Sequence, residues 1–154
     1  MELKFVNAKS PDFAMLAQKL DDYYFEVVGA VQEKYAECNK PHNFACLAVV
    51  YEEGQPIGCG CWKAIDPVTA ELKRMYVLPE YRRKGVASMI VKAMEEHATA
   101  TGCHKMILET ARTTPESAAF YLALGYTEIE NYDSPAGAEY SRCFDKGLSD
   151  GTMR

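Results

Sequence analysis

Apolar residues change their spacing several times along the chain, and each change marks an element. Leu3 to Val6 alternates briefly. Ser10-Pro11-Asp12 then supplies an N-cap, a proline suited to the first helical position and a first-turn carboxylate. Phe13, Leu16, Ala17, Leu20, Tyr23, Tyr24 and Val27 follow at helical spacing, which predicts a helix reaching Gly29. A less regular stretch, Val31 to Glu37, predicts a second helix ended by Asn39-Lys40-Pro41. Phe44 to Tyr51 is a nearly continuous apolar run closed by Glu52-Glu53-Gly54, and Ile57 to Ile65 follows it as the return strand of a hairpin. Asp66-Pro67 breaks the chain, and Ala70 to Leu78 forms the next strand, ended by Pro79.

From Gly85 the period becomes helical again. Val86, Met89, Ile90, Ala93, Met94, His97 and Ala98 share one stripe opposite Lys92, Glu95, Glu96 and Thr99, as far as Gly102. Lys105 to Thr110 reads as a buried strand, and Thr114-Pro115-Glu116-Ser117 opens a short helix that Gly125 stops. Thr127 to Tyr132 and Glu139 to Phe144 form a closing strand pair, and residues 147–154 read as a loose tail. The order is strand, two helices, three strands, helix, strand, helix, two strands. It predicts one α/β (α+β) domain over residues 1–154, a mixed and mostly antiparallel sheet of about seven strands with about four helices packed on it.

At 154 residues and 48% hydrophobic positions, one self-sufficient core is the expected organisation. The six cysteines lie at no zinc-type spacing, and Cys59 and Cys61 fall on one strand face, so they are expected to pack as reduced thiols in a cytoplasmic protein, with no metal site. No apolar run approaches the roughly 20 residues that span a bilayer, so no membrane partner is expected. The net charge is −5, yet residues 71–92 carry six basic residues against two acidic ones, a local +4 that leaves −9 for the remainder. An acidic chain that concentrates positive charge so locally suits a small anion better than nucleic acid.

That charge sits where a strand passes through Pro79-Glu80-Tyr81 into a helix N-terminus. Unpaired N–H groups there donate to phosphate oxygens. Gly85 and the small Ala87 let an anion approach the backbone, Arg82, Arg83 and Lys84 add charge, and Ser88 adds a hydroxyl. The segment lacks both G-x-x-x-x-G-K-[ST] and G-x-G-x-x-G, which removes the P-loop and dinucleotide readings. On these grounds alone it is a site for a diphosphate-like group.

Arg82-x-x-Gly85-x-Ala87, following Glu71 to Val77 (ELKRMYV) and preceding a helix and a strand, resembles the acyl-CoA motif Q/R-x-x-G-x-G/A of the GNAT acetyltransferases. Ala118 to Tyr126, with Tyr121 and Gly125, is similar to the second signature of that superfamily, A-x-x-[FL]-Y-x-x-x-G-[FY]. The resemblance covers about residues 44–145 and implies an acetyl-CoA-dependent N-acetyltransferase, an acyltransferase acting by direct attack in a ternary complex.

The resemblance also implies a V-shaped splay between the fourth and fifth strands. Met75, Tyr76 and Val77 would line the pantetheine arm, the Met75 region would act as an oxyanion-type donor, and Arg82, Arg83, Lys84, Gly85, Val86, Ala87 and Ser88 would hold the pyrophosphate. Tyr121 would be the general acid near the sulfur. Thr114 stands at the cofactor-binding position where many members carry an asparagine that contacts pantetheine, and is expected mainly to cap its helix. An alkylamine near pKa ~10.4 is only about 0.04% neutral at pH 7, so a base or water relay is needed. Glu71 stands where some members place that base, unless it simply pairs with Lys73 or Arg74, and Glu109 is the second candidate. Glu71, Lys73 and Met75 are expected on one strand face. The acceptor expected is a primary amine of a small metabolite. A protein or peptide amine, or a non-catalytic acyl-CoA-binding module, are the alternatives, and the closing strand pair offers an edge for a homodimer.

Overall fold

The computed structural model describes residues 1–28, 44–112, 114–132 and 141–149. The second expected helix, Val31 to Glu37, lies outside them, as do Cys38 and the turn at 133–137.

Ser10 accepts the Phe13 backbone N–H on Oγ at 3.1 Å and starts α1, Pro11–Val28, after β1, Glu2–Val6. Strands β2 (Cys46–Glu52), β3 (Gln55–Asp66) and β4 (Thr69–Val77) form an antiparallel meander. Helix α2, Val86–Thr101, leads to β5 (Lys105–Ala111), and α3, Pro115–Ala123, leads to β6 (Thr127–Ile129) and β7 (Ser141–Gly147). The seven strands make one sheet in the order β1-β2-β3-β4-β5-β7-β6, in which only β4 and β5 run parallel. Among the described residues there are three α-helices, against four expected.

The two faces of the sheet are distinct. Gly58, Gly60 and Trp62 of β3 meet α2, and the Trp62 indole N–H donates to His97 Nδ1 at 3.0 Å, so Trp62 and His97 are packing residues. Phe13, Leu16 and Leu20 of α1 are buried, with Leu47, Val49, Cys59 and Cys61 of the opposite face. Gly60 marks a close approach: a Cβ built there would lie 2.5 Å from Ile90 Cγ2 and 2.5 Å from Met75 Sδ. Ile90 is buried and cannot yield. Gly60→Ala is therefore expected to destabilise the fold by about 1–3 kcal/mol, read as a lower thermal midpoint; a midpoint equal to the parent's would mean that α2 stands off the sheet.

The end of the chain departs from expectation. β6 stops at Ile129 instead of Tyr132, because Asn131 and Tyr132 turn their side chains toward Ser141 and Glu71. β7 reaches Gly147, which pairs with Lys105, and the Leu148 N–H donates to the His104 carbonyl at 2.8 Å. The start of β5 takes that partner on the side away from β4, so residues 147 and 148 belong to the sheet rather than to a tail.

Candidate active site

β4 and β5 pair only over Thr69–Lys105, Ala70–Met106 and Glu71–Ile107, after which their ladder ends although both strands continue. The gap opens into a cleft of about 660 Å³. Met75, Tyr76 and Val77 form one wall, and Thr114, Ser117, Phe120 and Tyr121 at the start and along α3 form the other. Arg82, Arg83 and Ala87 stand at one end, with Leu20 and Tyr23 of α1 also lining it.

A bulge in β4 shapes the cleft. Cys61 pairs with Lys73 but Cys59 pairs with Tyr76, so Arg74 and Met75 together oppose Gly60, with Arg74 left-handed at φ 57°. Glu71 and Lys73 consequently face α1, while Met75 crosses to the α2 side against Gly60. This corrects the expectation that all three share a face: the extra residue shifts the two-residue alternation by one. The strained residue is held from several directions. Its guanidinium Nη2 donates to the Ala17 carbonyl at 2.8 Å and lies 2.9 Å from Asp21 Oδ1, and the Cys59 and Cys61 thiols reach the Arg74 and Lys73 carbonyls, each at 3.3 Å.

After Val77 a 3₁₀ turn, Pro79–Tyr81, leads into the basic segment, where Arg83 (φ 64°) and Gly85 (φ 84°) are both left-handed. Gly85 is the N-cap of α2 and carries no side-chain cap, so the first-turn N–H groups of Val86, Ala87 and Ser88 are presented to an incoming anion. No atom lies within 4 Å of a Cβ built at Gly85, so its requirement is the backbone angle. Arg82 Nε donates to the Val77 carbonyl at 2.9 Å, and its guanidinium lies over the Tyr76 ring. Lys84 lies over Tyr81. The Val86 side chain is buried in the core against Gly58, leaving its N–H as the group that can meet a ligand. Thr114 occupies the N-cap position of α3 but does not cap it: its hydroxyl donates to the Ala111 carbonyl at 3.0 Å, drawn back by the turn that ends β5.

Tyr121 is buried on the cleft wall between Phe120 and Tyr126, both in edge-on ring contact. Tyr126 donates to Glu95 Oε2 at 2.7 Å, and Lys146 meets the same carboxylate at 3.1 Å. Burial and Glu95 hold the Tyr126 phenol far above its ordinary range, so it stays a donor and fixes its ring against Tyr121. Glu71 is buried at the vertex where β4 leaves β5. Its Oε2 accepts the Tyr132 hydroxyl at 2.5 Å, and Lys73 Nζ stands 3.6 Å from Oε1. Glu109, on the same sheet face, accepts the Ser141 hydroxyl, and Ser141 accepts the Asn131 amide at 2.9 Å. Tyr132 is the partner that sequence reasoning missed, because 61 positions separate it from Glu71.

The five described cysteines are buried, and burial pushes the Cys46 thiol up to about 11 and Cys59 to about 12, which suits packing rather than nucleophilic use. Among the described residues, no group of three or more His, Cys, Asp or Glu side chains is placed to hold a metal ion, and no helix is long and apolar enough to cross a membrane.

Residues 13–126 match the Acetyltransferase (GNAT) family. The chain is 37% identical over 112 residues to aminoglycoside N(6')-acetyltransferase type 1 of Klebsiella aerogenes, covering 68% of this chain and 67% of that protein. Other relatives are spanned less fully, an N-acetyltransferase of Escherichia coli over 54% of its length and an aminoglycoside acetyltransferase of Acinetobacter over 42%. Among solved structures, a GNAT acetyltransferase of Staphylococcus aureus superposes with a TM-score of 0.75 at 14% identity, covering 96% of this chain and 100% of that one. The PaiA N-acetyltransferase of Thermoplasma acidophilum, in complex with coenzyme A, gives 0.72 at 16% identity, covering 96% and 100%. The splayed sheet with its basic turn thus has the GNAT fold, and the chain belongs to the GNAT family of acetyltransferases, whose acetyl donor is acetyl-CoA.

Proposed function

We propose that this acetyltransferase moves an acetyl group from acetyl-CoA to a primary amine of a small molecule. The observation that carries the reading is the ending of the β4–β5 ladder at Glu71: the donor cleft opens there, and two carboxylates, Glu71 and Glu109, lie on the sheet face beside that vertex. Carboxylates attract an ammonium group, and the burial of Glu71 suits an acceptor small enough to enter.

The residues fit the donor. The uncapped first turn of α2 with Arg82 and Arg83 suits the pyrophosphate, and the β4 stretch from Met75 to Val77, which has lost its β5 neighbour, suits the pantetheine amides. Acetyl-CoA supplies the activated acyl carbon when bound. Glu71 takes a proton from the acceptor ammonium, and the neutral nitrogen forms the new N–C bond. As the C–S bond breaks, Tyr121 gives its proton to the departing sulfur. The second proton that the nitrogen sheds on becoming an amide restores the phenol, and Glu71 returns its own proton to solvent.

Thiol release from acetyl-CoA, followed with an aminoglycoside bearing a 6'-amino group, spermidine, lysine and a peptide with a free N-terminus, tests the reading. Turnover is expected with one or more of the small amines. Turnover confined to the peptide would transfer the assignment to protein amines, and coenzyme A binding without turnover would make the chain an acyl-CoA-binding module.

A further inference from the structure

Glu71 has two carboxylate oxygens in different surroundings. Oε2 is fixed by the Tyr132 hydroxyl at 2.5 Å, whereas Oε1 has Lys73 at 3.6 Å, an attraction without hydrogen-bond contact. Among the described residues, Oε1 takes no hydrogen bond. We propose that Tyr132 is a positioning residue: by holding Oε2 it fixes the plane of the Glu71 carboxylate and presents Oε1 to the acceptor amine. The inference rests on the reading of Glu71 as the base.

Several observations support this role over a purely packing one. Tyr132 leaves 37% of its surface exposed while its hydroxyl end is buried beside Glu71, and its directed contact is that hydroxyl. The segment that carries it is pinned separately, by the Asn131 amide on Ser141 Oγ, so Tyr132 approaches Glu71 from a fixed base on β7. Lysine alone would not do the same, because an ammonium is a point charge on a flexible stem and leaves the carboxylate free to rotate about its terminal torsion.

The charged and titratable groups around the hydroxyl are Glu71, Glu109 and Cys143, with Lys73 on the far side of Glu71. Burial and the Glu71 carboxylate, with Cys143 and Glu109 adding, hold the phenol well above its ordinary range, so Tyr132 remains a donor and does not act as a base itself.

The test is a double-mutant cycle with Tyr132→Phe, Glu71→Gln and the double variant, assayed with acetyl-CoA and the amine of the panel above that gives the highest kcat/KM. Tyr132→Phe is expected to lower kcat about tenfold, with the KM for acetyl-CoA unchanged, and to cause no further loss in the Glu71→Gln background. Equal loss in both backgrounds, or none in either, would overturn the positioning role while leaving the base intact. A Glu71→Gln enzyme with the parent's kcat would overturn the base reading itself. A second readout needs no acceptor: the ring-carbon resonance of Tyr132, assigned by comparison with Tyr132→Phe, is expected to titrate at lower pH in Glu71→Gln than in the parent. An unchanged titration would mean that the hydroxyl is not engaged by Glu71, and would equally sink the proposal.

Discussion

Glu71→Gln is expected to lower kcat/KM at pH 7 by about 100- to 1,000-fold, and the deficit is expected to shrink as the pH rises. The amide keeps the shape of the side chain and can still accept the Tyr132 hydroxyl, so the change removes charge and basicity with little change of volume. At pH 7 only about 0.04% of an alkylamine with pKa ~10.4 is neutral, while at pH 9 about 4% is. With Glu71 as the proposed base the parent should gain little from that rise, whereas the variant should depend on the neutral fraction in solution. The profile of the variant should therefore climb about tenfold per pH unit and approach that of the parent near the acceptor's own pKa. A deficit of constant size from pH 7 to 10 would assign Glu71 to acceptor binding or to structure. The substitution also leaves Lys73, whose side chain is only 15% exposed, without its carboxylate. A loss of stability of about 1–3 kcal/mol should accompany the kinetic effect, so thermal midpoints are measured on the same preparations.

Tyr121→Phe should lower kcat by about 100-fold, with the KM for acetyl-CoA within a factor of about two, the low end of the range for a general acid. The low end is appropriate because a thiolate leaves more readily than an alkoxide or an amide nitrogen. Phenylalanine keeps the edge-on contacts with Phe120 and Tyr126, and Tyr126 stays anchored on Glu95, so the cleft wall should hold its shape. Retained kcat with a raised KM would place Tyr121 in donor binding instead. The two variants also separate from one another: the Tyr121 deficit should not diminish as the amine deprotonates, because the leaving sulfur is indifferent to the acceptor's charge state.

Local chemistry carried much of what was legible in the chain. The Ser10 cap, the apolar stripe from Val86 to Ala98 and the stop at Gly125 each act within a few residues, and their elements stand where they were expected to within a residue or two. The same holds for the basic turn, because an N-terminal turn ending in a left-handed glycine is built from contiguous residues. The shortened β6 and the longer β7 were not legible, since those boundaries depend on partners in β5 and on side chains reaching across the sheet.

Within the candidate site the division runs between β4 before and after Arg74. Spacing and chemistry along one stretch of chain suffice for the basic turn, the order of the elements and the residue types available for proton transfer. Tertiary structure alone decided which way they point. The bulge at Arg74 sends Met75 to one side and keeps Glu71 and Lys73 on the other, and it depends on Ala17, Asp21, Cys59 and Gly60, all of them distant from Arg74 in sequence. The Tyr132 hydroxyl on Glu71 is of the same kind: alternation along a strand cannot foresee an inserted residue or a partner 61 positions away, because both are stabilised by contacts that exist only once the sheet is assembled.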